Sequence, residues 1–367
     1  MVIEDLALLF IRGLGSRGIV HLIDHFGCAE AIFAASLAEL MQGAGLRKDV
    51  AERIVAREGM REAEREVDYC RKHGIIALAA TDEEYPMSLR ETSDRPHVLF
   101  VRGSVDALTM TTLSMVGTRE ASPSGLHVAD KIIGDLAQQL PDLCIVSGLA
   151  YGIDSACHRA ALAHHAKTVA VVAEVLPNVS PAPNQRLANE IINTGGAIVS
   201  ELHSQTKQNG QLFIARNRII AGLSMGTVVV ESPASGGSLA TADIADSYGR
   251  TLFAVPGRIT DTNSFGSNNL IRTGKARMVL TARDIIEDMG WSVQREEQHV
   301  SEPQSIVENL TFAEKCVYDA FDKATSLEWA ALISATGLSM GELAMVLMDL
   351  ELKGLIRALP GKHYERI

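Results

Sequence analysis

Between Leu113 and Met289, short apolar runs rich in β-branched residues alternate with longer segments whose apolar positions recur at helical spacing. The short runs occupy residues 114–117, 144–147, 168–172, 197–200, 227–230 and 251–255, and none of them alternates apolar with polar positions. An unbroken apolar run of about five residues suits a strand covered on both faces, and helices between such runs suit crossovers. The pattern predicts an α/β fold, a doubly wound, Rossmann-like parallel sheet over residues 74–291.

The flanks have other periods. Residues 1–73 are helical segments parted by glycine-centred turns at 11–15 and 42–46. Such turns occur in helix-hairpin-helix units of SAM-like, all-α domains, which offer backbone N–H groups to a DNA phosphate. The same glycines also serve as ordinary helix C-caps, and both readings stay open. Alternating charge from Arg47 to Arg71 predicts a solvated helix face leading out of this domain. Residues 75–78 and 98–101 predict short strands bridging into the central domain. Residues 292–307 are polar, contain Pro303 and predict a linker. Residues 308–367 give three helical segments and a hairpin turning at Pro360-Gly361, the pattern of a winged helix. Its third helix, 340–351, is acidic and carries no Arg or Lys. Groove reading needs Arg, Lys, Asn or Gln there, so a protein contact or a structural role is expected instead.

At 367 residues the chain exceeds one comfortable core, which agrees with several domains. No apolar run approaches the roughly 18 residues that span a bilayer, and no signal-peptide pattern opens the chain, so a cytoplasmic protein is expected. The five cysteines are scattered without paired metal-ligand spacing, which predicts reduced thiols and no metal. A net charge of −11 opposes indiscriminate nucleic-acid binding, but the central stretch is nearly balanced and leaves room for a local basic pocket.

Chemistry concentrates where the predicted strands end. Ligands bind parallel sheets at the carboxyl ends of the strands, where glycines allow close approach and helix N-termini offer unpaired N–H groups to phosphate. Gly117, Thr118 and Arg119 follow the first strand, with Ser122 or Ser124 placed to cap the next helix and Pro123 at its first turn. Arg119 then serves as a phosphate clamp or pairs with a local carboxylate. Ser147 and Gly148 end the second strand; Asp154 is a natural N-cap after them, and His158 is expected to be a structural histidine. Arg216, Asn217 and Arg218 open an otherwise apolar helix and are the expected anion-contacting residues, because arginine is seldom buried unpaired. Gly237 and Ser238 supply a further helix N-terminus, and a polar loop, 203–211, carries Lys207 over the same edge.

In this order the loops resemble the DNA processing protein A (DprA/Smf) family: 116–119, 147–154 with His158, 216–224, 237–242 and 253–257. The resemblance implies a homodimer, paired through the Rossmann-like domain, that binds single-stranded DNA, shields it and helps load a RecA-type recombinase during natural transformation. By the same resemblance Arg119 and Arg216–Arg218 hold phosphates, Ser147, Gly148, Gly237 and Ser238 add donors, and no residue is catalytic and no cofactor is used. The chain departs from the family pattern at Ser124, Ser180, Ala182, Ile214 and Ser235-Gly236, each change removing a ring, a cation or a proline, which predicts weaker strand binding. The competing reading is a nucleotide-binding Rossmann enzyme similar to nucleoside-monophosphate phosphoribohydrolases, with Glu201 or Glu231 as acid/base.

Overall fold

The structure is a computed structural model that describes residues 3–291, 310–321, 326–353, 355–359 and 363–366. The expected linker at 292–307 and the turn at Pro360-Gly361 lie outside the described residues. Two compact units divide the chain, Met1–Gln294 and Arg295–Ile367.

The first unit is built on a nine-stranded sheet of β1 (Ile76–Ala79), β2 (Val98–Gly103), β3 (Thr111–Val116), β4 (Leu143–Ser147), β5 (Lys167–Val171), β6 (Ala197–Ser200), β7 (Gly226–Val229), β8 (Thr251–Ala254) and β9 (Arg277–Met278). Their order is β1-β2-β6-β5-β4-β3-β7-β8-β9, parallel from β6 to β9. β1 and β2 add to it antiparallel, so the short bridging strands expected from sequence extend the main sheet. The chain builds outward from β3 to β6 and then returns to lay β7 on the other side of β3. The strand order therefore reverses between β3 and β7, the place where such sheets open a crevice for ligand.

Successive residues of β3 face opposite cores. Leu113 and Met115 pack with the helices Pro123–Gln139, Ile153–Ala163 and Ala282–Met289. Val116 faces the other side, toward Ile219, Ile220 and Leu223 of the helix Gln211–Leu223. Each fully buried Leu or Ile contributes about 1.5–3 kcal/mol, so covering both faces explains the unbroken apolar runs. The polar residues of the same strand fix the second helix in place: Thr112 Oγ1 donates to Leu223 O at 2.7 Å and Ser114 Oγ to Ile220 O at 2.7 Å. These bonds satisfy carbonyls in the last turn of Gln211–Leu223, which have no partner within the helix.

The N-terminal helices share a core with this sheet, Leu6, Ile32 and Ile54 joining Phe100, Val172 and Ile198 in one cluster. Buried polar contacts tie them down: His97 Nε2 lies 2.9 Å from Asp5 Oδ1, and Tyr69 Oη donates to Leu176 O at 2.7 Å. The charge-rich stretch 47–71 is not one solvated face. It breaks at Gly59 into Lys48–Val55 and Met60–His73, and Glu66 is buried, accepting the Ser204 N–H at 2.9 Å.

In the second unit the helices Phe312–Ala320, Trp329–Thr336 and Met340–Leu352 accompany a three-stranded sheet of β10 (Ser326–Glu328), β11 (Ile356–Leu359) and β12 (His363–Arg366). Thr311 with Glu314 and Ser339 with Glu342 form reciprocal caps that start the first and third helices. The third helix turns Leu343, Val346, Leu347 and Leu350 inward and leaves Met340, Met345 and Met348 exposed.

Candidate nucleic-acid interface

At the reversal between β3 and β7 the loops after the two strands are joined directly, Thr118 N–H donating to Glu231 O at 2.8 Å. The helix after β4 docks on the same loop through Ile153 N–H to Thr118 O at 3.1 Å. The result is a cavity of about 280 Å³ lined by Gly117, Thr118, Arg119, Arg216, Asn217, Gly237 and Ser238, with Phe213 and Ile214 at the start of the helix above it. Loops from three separate crossovers meet here, as the strand-end residues predict.

The cations of this cavity differ in kind. Arg119 is exposed and has no carboxylate or hydrogen-bond partner among the described residues, which resolves the choice between clamp and local pair in favour of a free guanidinium. Arg216 is 7% exposed and donates through Nη1 to Gly148 O at 2.7 Å and Val171 O at 2.5 Å. Burial lowers its pKa, Asp154 opposes that shift, and the like charge of Arg119 adds to it, so the two arginines share one electrostatic environment. Burial raises the Asp154 carboxyl, while Arg216 and the N–H groups of Ala150 and Gly148 hold it down. Asn217 Nδ2 donates to Gly237 O at 3.4 Å and ties the arginine helix to the next helix, Gly237–Ser247. That helix begins at Gly236 with no side-chain cap, so its first N–H groups remain open toward the cavity.

Three expectations are corrected. Arg218 does not join the cavity: it borders a different recess, beside Leu14 and His97, and pairs with Glu201. Residues two apart on a helix lie about 200° apart around its axis, so Arg216 and Arg218 cannot share a face. Ser147 and Gly148 do not present donors to the cavity. Both are buried and neither lines the cavity; Ser147 Oγ donates to Met115 O at 2.7 Å, and Gly148 O accepts from Arg216 Nη1 at 2.7 Å. Asp154 is not the N-cap of its helix, whose cap is Gly152; it lies inside the first turn as the internal counter-charge of Arg216.

Glu231 is a residue that the sequence pattern did not mark as structural. It is 8% exposed, accepts Ser122 N–H at 3.0 Å and binds the Ser122 hydroxyl, while Ser122 Oγ accepts Gly125 N–H at 3.0 Å. A carboxylate of the protein thus sits at the N-terminus of Pro123–Gln139, where a ligand anion was expected. Ser122 caps the helix with Pro123 at its first position, one of the two arrangements anticipated. Glu201 and Glu231, the acid/base candidates of the enzyme reading, are both engaged in these internal contacts.

His158 is fully buried, its Nδ1 2.7 Å from Thr168 Oγ1 and its Nε2 without a partner. Thr168 Oγ1 donates to Ile145 O, so the ring donates to it and is held neutral, burial pushing its pKa down to about 3. The unfolded chain takes up this proton near pH 6.5 and the native chain only near 3, so stability present above pH 6.5 is lost as pH falls. Between pH 6 and 4.5 the loss is about 2 kcal/mol at roughly 1.4 kcal/mol per unit. Urea melts at the two pH values should show it in the wild type and a much smaller difference in His158→Gln; an equal difference in both would remove His158 as its source.

Residues 77–290 match the sequence pattern of the family described as DNA recombination-mediator protein A, and residues 307–362 match the DprA winged helix domain. Protein Smf of Escherichia coli (strain K12) is 35% identical over 290 residues, 78% of this chain and 76% of that protein. DNA processing protein DprA of Streptococcus pneumoniae is 39% identical over 212 residues, 58% of this chain and 73% of that protein. The X-ray structure of the Streptococcus pneumoniae protein is similar with a TM-score of 0.68 at 31% identity, covering 78% of this chain and 98% of that one. A structure of DNA processing protein A from Helicobacter pylori, determined for its single-stranded DNA binding mode, is similar with a TM-score of 0.52 at 25% identity, covering 59% of this chain and 95% of that one.

Proposed function

Since this chain belongs to the DNA recombination-mediator protein A family, we propose that it binds single-stranded DNA across the β3/β7 cleft, protects the incoming strand and helps load a RecA-type recombinase in natural transformation. The observation that carries the reading is Arg119, exposed and without a partner, beside buried Arg216 and the uncapped start of Gly237–Ser247. A mobile phosphate gains most from a cation that has no internal carboxylate to give up, and Arg119 is that cation. Arg216 acts from beneath, its charge partly answered by Asp154, and fixes the positive potential of the floor.

Nothing in this arrangement requires a particular base, so binding is carried by phosphates and by the strand's flexibility. Ile214 is 64% exposed at the cleft and Tyr151 is 49% exposed beside Ala150, which offers apolar surface for unstacked bases. The protein acts in the cytoplasm as a homodimer through the Rossmann-like unit. Edge strand β9 supports that pairing, with Met278 50% and Leu280 65% exposed at the end of the sheet. In this reading the helices of residues 1–73 and the winged helix of 308–367 are accessory to residues 74–291.

The test is fluorescence anisotropy with a labelled oligothymidylate at two salt concentrations, beside molar mass in solution. Arg119→Ala is expected to weaken binding about tenfold, or ~1.4 kcal/mol, and to lower the salt slope by about 0.7 as one phosphate contact is lost. An unchanged affinity and slope would move the site away from this cleft.

A further inference from the structure

We propose a second phosphate-binding position, in the arginine-lined recess of the N-terminal helices, which takes a phosphodiester of the same strand; this rests on the single-stranded DNA reading of the cleft. The recess has a volume of about 740 Å³ and lies where Lys48–Val55 gives way to Met60–His73. Arg12, Arg53, Arg57 and Arg61 line it, against two carboxylates, Glu58 and Glu62.

Two of these cations already have partners. Arg53 Nη1 is 2.9 Å from Glu58 Oε2 and Arg57 Nη2 is 3.0 Å from Glu4 Oε1, each contact using one guanidinium nitrogen and leaving others to donate. Arg12 and Arg61 are exposed and have no hydrogen-bond or carboxylate partner among the described residues. Arg12 and Arg61 thus keep their charge unanswered beside the two paired arginines, and a phosphate accepts from two guanidinium forks at once. Arg57 is also held at φ +53°, a left-handed conformation uncommon for arginine.

The recess is linked to the cleft by one segment. Gln205 lines the recess, and Phe213 and Ile214, eight and nine residues on, line the cleft, with exposed Lys207 between them. Eight residues span at most about 28 Å, a distance that a strand of twenty nucleotides covers. A strand seated in the cleft can therefore reach the recess within one short oligonucleotide.

The test uses the full chain with the double substitution Arg12→Ala/Arg61→Ala, at two exposed positions that make no ion pair, and labelled thymidylates of four and twenty nucleotides. Removing two phosphate contacts is expected to weaken binding of the twenty-mer about tenfold or more and to lower its salt slope by about 1.4, leaving the four-mer unchanged. If the twenty-mer still depends on Arg119 but ignores the double substitution, the second position is overturned and the cleft stands. If neither length binds the wild type, the cleft reading has failed and the second position goes with it. Tripolyphosphate separates the two sources of phosphate: should it bind the wild type and not the double variant while the twenty-mer is unaffected, the recess holds a free polyphosphate and the strand does not extend there.

Discussion

Arg216→Ala is expected to destabilise the first unit by about 3–5 kcal/mol and to abolish binding of single-stranded DNA together with it. The substitution removes the donor to two buried carbonyls, Gly148 O and Val171 O, and takes away the cation that offsets the buried Asp154. A buried carboxylate stripped of its counter-charge costs far more than the pair contributes, because the N–H groups of Ala150 and Gly148 replace only part of the lost solvation. In a thermal melt the loss should appear as a fall of roughly 10 °C. Adding Asp154→Asn removes the orphaned charge and should return part of the stability without returning the binding. That split separates the structural role of Arg216 from its contribution to the cleft. A single variant that melts with the wild type would mean that Asp154 carries no charge in the native state.

Gly152→Ala has the second largest expected effect, and it acts on Arg119 without touching it. Gly152 sits at φ +74°, ψ −126°, a conformation open almost solely to glycine, and caps the helix after β4. A methyl group there would lie 2.2 Å from Thr118 O and 2.6 Å from Arg119 O, both backbone atoms that cannot swing aside. Strain and overpacking each cost about 1–3 kcal/mol, so a total of about 4 kcal/mol is expected. The loop carrying Arg119 must shift to admit the methyl group, so affinity for the strand should fall although every cation is retained. Gly237→Ala serves as the stability control, since a methyl group there meets open space, and should change stability by less than about 0.5 kcal/mol. Equal melting of the two variants would remove the close approach as the factor that holds the loop.

Most of the cleft was legible because its parts are local. A run of β-branched residues ending in glycine and followed by a helical period fixes where a strand stops and a helix N-terminus begins, whatever surrounds them. Gly117–Arg119 and Gly237 with Ser238 follow from that pattern, and Arg216 with Asn217 from polar residues opening an otherwise apolar helix. Parallel strands in one sheet then bring those ends to one edge, because right-handed crossovers leave them no other place. Helical geometry alone parts Arg218 from Arg216, since residues two apart lie on opposite faces.

What the residues could not disclose is which donors and charges the protein would use on itself. Asp154 answers Arg216; Glu231 fills the helix start at Ser122; Glu201 takes Arg218. Each of the last two pairs joins groups 17 or more positions apart in the chain, and the Glu231–Ser122 contact spans 109. The sequence by itself determined the sheet, the order of its loops and the kinds of group they carry, because these follow from short-range periodicity. Only the tertiary structure decided which cation stays free for a ligand, because pairing depends on distances of a few ångströms between segments whose approach is set by the packing of the whole unit.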